Sequence, residues 1–304
     1  MSNVAVRIAA FVLALCFASL SPAQPTPRDL GFVVPESQST IHAVAFGDFG
    51  YQGSGSGQKA VAATIGKLHS EKPFHFGLTL GDNFYPSGVK SVDDPAWRAI
   101  WEADYGALKV PFFATLGNHD YRGNQQAQVD YTAKSQTWRM PQTYYTFRAG
   151  RVVQFFALDT DEGTAGRLLF KKPWSDAQAD WLDAELGKSK APWKIVYGHH
   201  PIFSDGHHGD SARLKRKLLP ILRKHKVAAF LCGHEHELQF HEMEGIDFVI
   251  AGGGVKDTRD VTRRRAVFVA GSHGFLEISA TGQSLDLRLR GSAGQVLFER
   301  QRKR

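Results

Sequence analysis

Short hydrophobic runs rich in β-branched and aromatic residues recur along the chain, and longer amphipathic stretches separate them. The short runs are typical of β-strands, whereas the longer stretches have the apolar spacing of helices. Strands that alternate with helices indicate an α/β fold, in which ligands gather beyond the carboxyl ends of the strands. The predicted strands are Ile41–Phe46, Phe74–Leu80, Pro111–Leu116, Val152–Leu158, Trp193–Tyr197, Val227–Leu231 and Phe248–Ile250, and the predicted helices are Gln58–His69, Pro95–Tyr105, Asp176–Leu186 and Ser211–His225.

Two local features modify this pattern. Pro220 is expected to kink or shorten the last predicted helix, because proline lacks the backbone N–H that a helix interior requires. After Gly274 the runs become short and are separated by turn residues, so Phe275–Ile278, Leu285–Leu289 and Val296–Phe298 are predicted to form antiparallel hairpin strands that close one side of the sheet.

The first residues have the layout of a cleavable signal peptide over residues 1–23. Arg7 precedes the apolar run Ile8–Leu20, and small residues follow it. The run is too short to cross a bilayer as a helix, so we expect a secreted or periplasmic protein without a stable membrane anchor. Residues 24–40, rich in Pro, Ser and Gln, are predicted to be a flexible lead-in, and residues 41–304 a single folded domain.

The composition restricts the kinds of molecule that the protein is expected to bind. The chain has a net charge of +7, which favours anionic ligands, but it has no motif that interleaves basic and aromatic residues for nucleic-acid binding. Cys16 and Cys232 are the only cysteines. A thiolate metal cluster is therefore excluded, and cleavage of the signal peptide would leave Cys232 without a disulfide partner within the chain.

Five glycine-led polar motifs follow five of the predicted strands. Taken alone, each has a simpler interpretation, because Asp after Gly is common in turns and a single His is usually a hydrogen-bonded structural residue. Together, on consecutive strand ends of one sheet, they favour a dinuclear metal site with a bridging carboxylate, for which Asp82 is the candidate. The motifs are Gly47-Asp48-Phe49-Gly50, Gly81-Asp82-Asn83-Phe84-Tyr85, Gly117-Asn118-His119-Asp120, Gly198-His199-His200-Pro201 and Gly233-His234-Glu235-His236.

This set resembles the metallophosphoesterase superfamily and, within it, the small tartrate-resistant type of purple acid phosphatase, from about Thr40 to about Gly291. The resemblance implies a four-layer α/β/β/α sandwich with the metals at the carboxyl ends of the strands. Most of the superfamily has His two residues after the first Asp, whereas here Gly50 follows Asp48 at that spacing. Tyr85 offers the missing ligand, and a phenolate favours a hard cation such as Fe(III). A buried structural tyrosine is the alternative for Tyr85.

Site roles follow from the same resemblance. A ferric site would use Asp48, Asp82, Tyr85 and His236, and a second site for Fe(II), Zn or Mn would use Asp82, Asn118, His199 and His234. His119 and His208 would contact the substrate phosphate, and either could protonate the leaving group. Adjacency suggests that Asp120 orients the ring of His119. His200 and His207 are expected to be structural.

The predicted activity is that of an acid phosphatase: metal-bound hydroxide attacks a phosphate monoester, with an acidic pH optimum. The substrates would be phosphorylated small molecules or phosphoproteins, and the protein would be a monomer. Two alternatives remain open, a divalent Mn or Zn phosphodiesterase of the same superfamily and a non-catalytic iron-binding protein of the cell envelope.

Overall fold

The computed structural model describes residues 28–51, 53, 55–161 and 176–304. The predicted signal peptide, residues 1–23, lies outside this part of the chain. Among the described residues, no helix combines the length and the hydrophobicity that a membrane span requires.

Fifteen strands and several short helices make up the described residues. The strands are β1 (Arg28–Val34), β2 (Thr40–Phe46), β3 (Phe76–Leu80), β4 (Phe112–Thr115), β5 (Trp138–Arg139), β6 (Tyr145–Ala149), β7 (Val153–Ala157), β8 (Trp193–Tyr197), β9 (Ala229–Cys232), β10 (Leu238–Met243), β11 (Ile246–Ala251), β12 (Phe268–Ala270), β13 (Gly274–Thr281), β14 (Ser284–Gly291) and β15 (Val296–Lys303). The α-helices are α1 (Ser56–Glu71), α2 (Ala103–Tyr105), α3 (Gln125–Asp130), α4 (Asp176–Lys188), α5 (Ala212–Lys217) and α6 (Leu219–Lys224). A π-helix, Trp97–Glu102, leads into α2, and short 3₁₀ turns occupy Gly106–Leu108, Asp120–Arg122 and Tyr131–Ala133.

The strands form two mixed sheets. The first sheet has the order β15-β14-β13-β2-β3-β4-β5, and the second has the order β1-β6-β7-β8-β9-β11-β10-β12. Strands β2 to β5 run parallel, while β13 to β15 continue the first sheet as antiparallel hairpins beside β2. In the second sheet, β7, β8, β9 and β11 are parallel neighbours. The predicted C-terminal hairpins are therefore confirmed.

Alternating side chains on each sheet define four layers. Phe113 stacks on Phe147 of the second sheet at 4.1 Å, while its neighbour Phe112 packs against Trp101 in the helical layer. Phe155 joins the core between the sheets, whereas Phe156 joins a second core, which α4, α5 and α6 cover. Each sheet thus buries one face against the other sheet and one against helices, as the period of two along a strand requires.

Of two local predictions, one is confirmed and the other is wrong in part. Pro220 does interrupt the last predicted helix, which divides at Leu218 into α5 and α6. The prediction of an irregular lead-in over residues 24–40 is wrong for residues 28–34, because β1 pairs there with β6 as a parallel edge strand. Only one face of this strand meets the protein, and several of its residues stay exposed, so its composition has no clear strand pattern.

Candidate metal centre

The five motifs meet at one edge, where the carboxyl ends of strands from both sheets converge. Asp48, Asp82 and Asn118 follow β2, β3 and β4 of the first sheet, while His199 and His234 follow β8 and β9 of the second. Backbone hydrogen bonds join the loops, including Asp48 N to Gly81 O and Gly233 N to His199 O. The expectation that all five motifs follow strands of one sheet is therefore wrong, because two sheets contribute and the site lies between them.

Two glycines allow the loops to approach this closely. A Cβ on Gly117 would lie 2.3 Å from Oδ1 of Asp82, and a Cβ on Gly233 would lie 2.4 Å from Oδ2 of Asp48. Both distances are far below van der Waals contact, so only glycine fits at these positions. Steric exclusion of any side chain therefore explains why glycine opens the third and the fifth motif.

Three of the candidate ligands have left-handed backbone conformations. The φ angles are 64° at Asp48, 50° at Asp82 and 72° at His234. Positive φ is uncommon for residues other than glycine, although Asp, Asn and His adopt it more readily than most, and such conformations cluster at functional sites. Here the sharp turn after each strand directs the side chain back toward the edge of the sheets.

Asp48, Asp82, Tyr85 and His236 surround one point. The phenolic oxygen of Tyr85 lies 3.1 Å from Oδ1 of Asp48, 2.9 Å from Oδ2 of Asp82 and 3.2 Å from Nε2 of His236. Nε2 of His236 is 3.8 Å from Oδ1 of Asp48. Four donor atoms of the types that bind hard cations thus converge, as the sequence predicts for the ferric site.

Asp82, Asn118, His199 and His234 surround a second point. Nε2 of His199 lies 3.1 Å from Oδ1 of Asn118, 3.1 Å from Nδ1 of His234 and 3.4 Å from Oδ2 of Asp82. The other ring nitrogen of His199 faces the backbone oxygen of Leu80 at 2.9 Å, which directs Nε2 toward the cluster. Because Asp82 belongs to both groups, it has the position that a bridging carboxylate needs.

The electrostatics of the cluster fit bound cations. Burial raises the pKa of Asp48 well above its ordinary value, and the charge of Asp82 raises it further. Burial and the charges of Asp48 and Asp82 also raise the pKa of Tyr85. Burial lowers the pKa of His199, but the two carboxylates outweigh it and raise the value to about 10. Positive charge at this point would stabilise both carboxylates and promote ionisation of the phenol.

His119 lies at the rim, but Asp120 does not orient it. Nδ1 of His119 faces the backbone oxygen of Pro86 at 2.8 Å, and Nε2 lies 4.0 Å from Oδ2 of Asp82. The buried Asp120 instead accepts hydrogen bonds from the backbone N–H groups of Gly117 and Asn83. The expected contact with His119 is therefore wrong. The two consecutive side chains point in different directions, and Asp120 links the second and third motifs through its hydrogen bonds.

His208 lies on the opposite side of the rim. Its ring packs on that of His234 with 4.1 Å between centroids, and its Nδ1 is 3.1 Å from Oε2 of the buried Glu235. The guanidinium of Arg259 lies 3.4 Å from the same ring nitrogen. The structure thus brings both predicted substrate-contacting histidines to the candidate centre.

His200 is close to His234 and could be taken for a metal ligand, but its hydrogen bonds argue otherwise. The hydroxyl oxygen of Thr160 accepts the N–H groups of both His199 and His200, so its own proton can be donated to Nδ1 of His200, 3.1 Å away. The ring proton then resides on Nε2, which faces Asp161 at 3.8 Å. In this tautomer neither nitrogen offers a lone pair to the candidate centre, although His200 lies close enough to His199 and His234 for the three to hold an ion. His207 is exposed in the same loop as His208.

Three residues at the centre carry no sequence signal of their own. Glu235 was visible only as a residue between two histidines, and Arg259 only as part of a basic cluster. Tyr51 stacks on Tyr85 with 4.0 Å between ring centroids and an interplanar angle of 9°. The backbone bends at residues 234–237, so a strand-like alternation does not show which way Glu235 points or what it contacts.

Comparison with known proteins establishes the family. Residues 41–238 match the family model described as calcineurin-like phosphoesterase, and the chain belongs to this family. The chain is 32% identical to tartrate-resistant acid phosphatase type 5 of the rabbit, Oryctolagus cuniculus, over 86% of the chain and 90% of the rabbit protein. It is 34% identical to purple acid phosphatase 7 of Arabidopsis thaliana, over 75% of the chain and 74% of the plant protein. Within the family, the chain thus groups with the purple acid phosphatases, and the predicted resemblance is confirmed.

Solved structures confirm the predicted architecture. A purple acid phosphatase from yellow lupin seeds superposes with a TM-score of 0.69 at 18% identity, over 89% of this chain and 55% of that one. A Plasmodium protein described as the anchor in the inner membrane complex, GAP50, superposes with a TM-score of 0.77 at 24% identity, over 88% and 89% of the two chains. At these identities the structures show the fold alone.

Proposed function

We propose that this protein is an acid phosphatase that hydrolyses phosphate monoesters at a dinuclear centre of Fe(III) and a divalent ion, Fe(II), Zn or Mn. The observation that carries the proposal is the convergence of the Tyr85 phenol with Asp48, Asp82 and His236 within hydrogen-bonding distance. Phenolate and carboxylate oxygens suit a hard trivalent ion. The similarity to acid phosphatases over most of the chain supports the reaction class.

The residues of the site divide into proposed metal ligands and residues that would contact the substrate. Asp48, Asp82, Tyr85 and His236 would hold the ferric ion, and Asn118, His199 and His234, with Asp82 shared, the divalent ion. When bound, the two ions polarise the phosphate oxygens and lower the pKa of water to supply the nucleophile.

The remaining roles fall to groups at the rim. His119 and His208 flank the centre from opposite sides and can donate hydrogen bonds to phosphate oxygens. One of them gives a proton to the departing alkoxide. The guanidinium of Arg259 adds positive charge beside His208, which favours anionic phosphorylated small molecules or phosphoproteins.

The test is metal analysis with a visible spectrum of wild-type protein and of the Tyr85→Phe variant. We expect bound iron and a phenolate-to-iron absorption band that Tyr85→Phe removes while the fold persists. Tyr51→Phe is the matched control, because Tyr51 stacks on Tyr85 outside the proposed ligand set, and it should keep the colour.

The same preparations separate the alternatives. Full activity with manganese or zinc on diesters, an optimum well above neutral pH and no absorption band would replace the proposal with a divalent phosphodiesterase. Bound iron without ester hydrolysis would indicate a non-catalytic iron protein.

We also propose that residues 1–23 direct secretion or periplasmic export and are removed, and that the mature protein is a monomer. The support is the charged start, the apolar run and the small residues before the cleavage position. Fractionation with N-terminal sequencing tests export, and a mature chain beginning at residue 1 in the cytoplasm would contradict it. Light scattering tests the monomer.

A further inference from the structure

Glu235 is a fully buried carboxylate between two candidate metal ligands, yet it contacts neither site. The backbone bends after β9, with a left-handed φ of 72° at His234, and the side chain of Glu235 is directed toward the loop of Ser204 and His208. Oε1 accepts hydrogen bonds from the hydroxyl of Ser204 at 2.7 Å, the backbone N–H of His208 at 2.9 Å and that of Gly209 at 3.2 Å. All three donors belong to the loop that carries His208. A buried carboxylate is costly unless it is this fully paired.

The second oxygen of Glu235 determines which nitrogen of His208 carries a proton. Oε2 lies 3.1 Å from Nδ1 of His208, and the guanidinium of Arg259 lies 3.4 Å from that nitrogen and 3.9 Å from Oε2. An ionised carboxylate only accepts, so the shorter contact favours hydrogen on Nδ1 and leaves Oε2 as the acceptor for the guanidinium, which only donates. The remaining nitrogen, Nε2, is then the ring atom available to a substrate.

The ring of His208 is also fixed in place. It packs against His234 on one side, while Glu235 holds both its Nδ1 and its backbone. His119 differs, because its Nδ1 faces an uncharged backbone oxygen of Pro86. A carboxylate partner stabilises the cationic form of an imidazole and fixes its tautomer, which a carbonyl does less strongly.

We propose that Glu235 is a positioning residue that keeps the Nδ1 proton of His208 in place, so that Nε2 protonates the leaving oxygen of the phosphate monoester. As a water-derived hydroxide forms its bond to phosphorus, the bond from phosphorus to the leaving oxygen breaks, and its electron pair goes to that oxygen, which takes the Nε2 proton. The neutral ring keeps its Nδ1 proton on Glu235 and regains the Nε2 proton from water. This inference rests on the proposed phosphatase function.

The kinetic test compares monoesters with leaving groups of different basicity in wild type and Glu235→Gln. For alkyl phosphates, whose leaving groups need a proton, kcat should fall about 10- to 100-fold. For p-nitrophenyl phosphate, whose leaving group is stable as an anion, it should change little, and KM should stay similar throughout. An equal loss of kcat for all substrates would indicate a merely structural role and overturn the proposal.

Two further variants complete the kinetic test. His208→Ala should show the same substrate pattern with a loss of about 10²- to 10⁴-fold. Glu235→Gln should then add little in the double variant, because both changes remove one function. Glu299→Gln, at an exposed carboxylate of β15 that pairs with Arg288, is the control and should behave as wild type. Independent, multiplying effects in the double variant would overturn the proposal.

An NMR measurement decides the question without catalysis. Nitrogen shifts of His208 in zinc-loaded wild-type protein should show the neutral ring protonated on Nδ1, and Glu235→Gln should shift the ring toward the other tautomer. A neutral wild-type ring that carries its single proton on Nε2 and not on Nδ1 would overturn the proposal even if Glu235→Gln fails to fold. If the protein hydrolyses no ester, the phosphatase proposal fails, whereas the tautomer still tests the role of Glu235.

Discussion

Two groups of buried carboxylates in this molecule differ in where their positive charge comes from. Glu277 on β13 pairs with His42 of β2 at 2.8 Å and with Arg290 of β14 at 2.7 Å. Asp48 and Asp82 have only imidazoles, a phenol and an amide around them. The first group contains a permanently charged arginine, whereas the second has no lysine or arginine among these contacts and has donor atoms in excess.

The pKa values follow this difference. Burial raises the pKa of Glu277, but the contacts with His42 and Arg290 outweigh it and lower the value to about 2. Burial leaves the pKa of Asp48 well above its ordinary value, whereas at Asp82 the neighbouring His199 outweighs burial and lowers the pKa. Burial of a carboxylate therefore does not by itself indicate a functional site. A converging donor set without a fixed cation does, and the comparison can be tested from both sides.

The largest effect is expected from Asp82→Asn, because Asp82 belongs to both proposed metal sites. The variant should lose metal and more than about 10³-fold in kcat, since neither ion keeps its shared carboxylate. Metal content by plasma spectrometry and steady-state kinetics measure this, and circular dichroism should show an unchanged fold. Asp93→Asn, at an exposed side chain, is the control. Wild-type metal content in Asp82→Asn would refute the shared role.

Removal of the metals should destabilise the whole fold, because the proposed ligands come from both sheets. Bound ligand at 1,000 times its Kd adds about 4 kcal/mol to the free energy of unfolding. We expect chelator to lower the Tm of wild type and to leave that of Asp82→Asn unchanged. Thermal melts with and without chelator measure this, and equal wild-type melts would contradict it.

Glu277→Gln should affect stability and spare catalysis. The pKa of Glu277 is depressed in the folded protein, so its contribution is present above the ordinary carboxyl pKa and is lost as pH falls toward about 2. At pH 7 the variant should be destabilised by about 1–3 kcal/mol. Its difference from wild type should shrink as pH falls from about 4.5 toward 2.

Denaturant unfolding across this pH range measures the effect. Glu299→Gln is the control, because its exposed pair with Arg288 should contribute less than about 1 kcal/mol. A difference between Glu277→Gln and wild type that is the same at every pH would show that charge is not the cause.

The smallest effect is expected from His200→Asn, which tests whether proximity alone makes a ligand. Both ring nitrogens of His200 face Thr160 and Asp161, so metal content should be unchanged and kcat should fall by less than about tenfold. The adjacent change His199→Asn should lose the divalent ion. The metal stoichiometry of the two variants tests this prediction. Loss of metal in His200→Asn would show that His200 is also a ligand.

Much of the fold could be predicted because its central strands are buried on both faces. Runs such as Trp193–Tyr197 and Phe74–Leu80 lie on or over real strands. The edge strand β1 and the strand β10 were missed, because one is partly exposed and the other carries buried Gln239 and His241 among its apolar residues. Tertiary hydrogen bonds, which composition does not show, stabilise such strands.

The candidate site, like the fold, could be predicted only in part. Motif order and resemblance placed Asp48, Tyr85 and His208 near one centre, and the structure brings them there. The partners of Asp120 and Glu235 could not be read from the sequence, because adjacency suggested His119 for one and nothing for the other. Glu235 contacts a residue 27 positions away, and only the folded loops define that contact.

The left-handed backbone at Asp48, Asp82 and His234 has a consequence for divergence within the family. Asn tolerates this conformation about as well as Asp does, and glycine tolerates it best. A single-base change from Asp to Gly therefore removes a proposed metal ligand without straining the turn that holds it. Such substitutions can remove catalysis while the four-layer fold is kept. A descendant protein can then use the rim of the site to bind a partner. In this architecture, the loss of catalysis is a shorter evolutionary step than the loss of the fold.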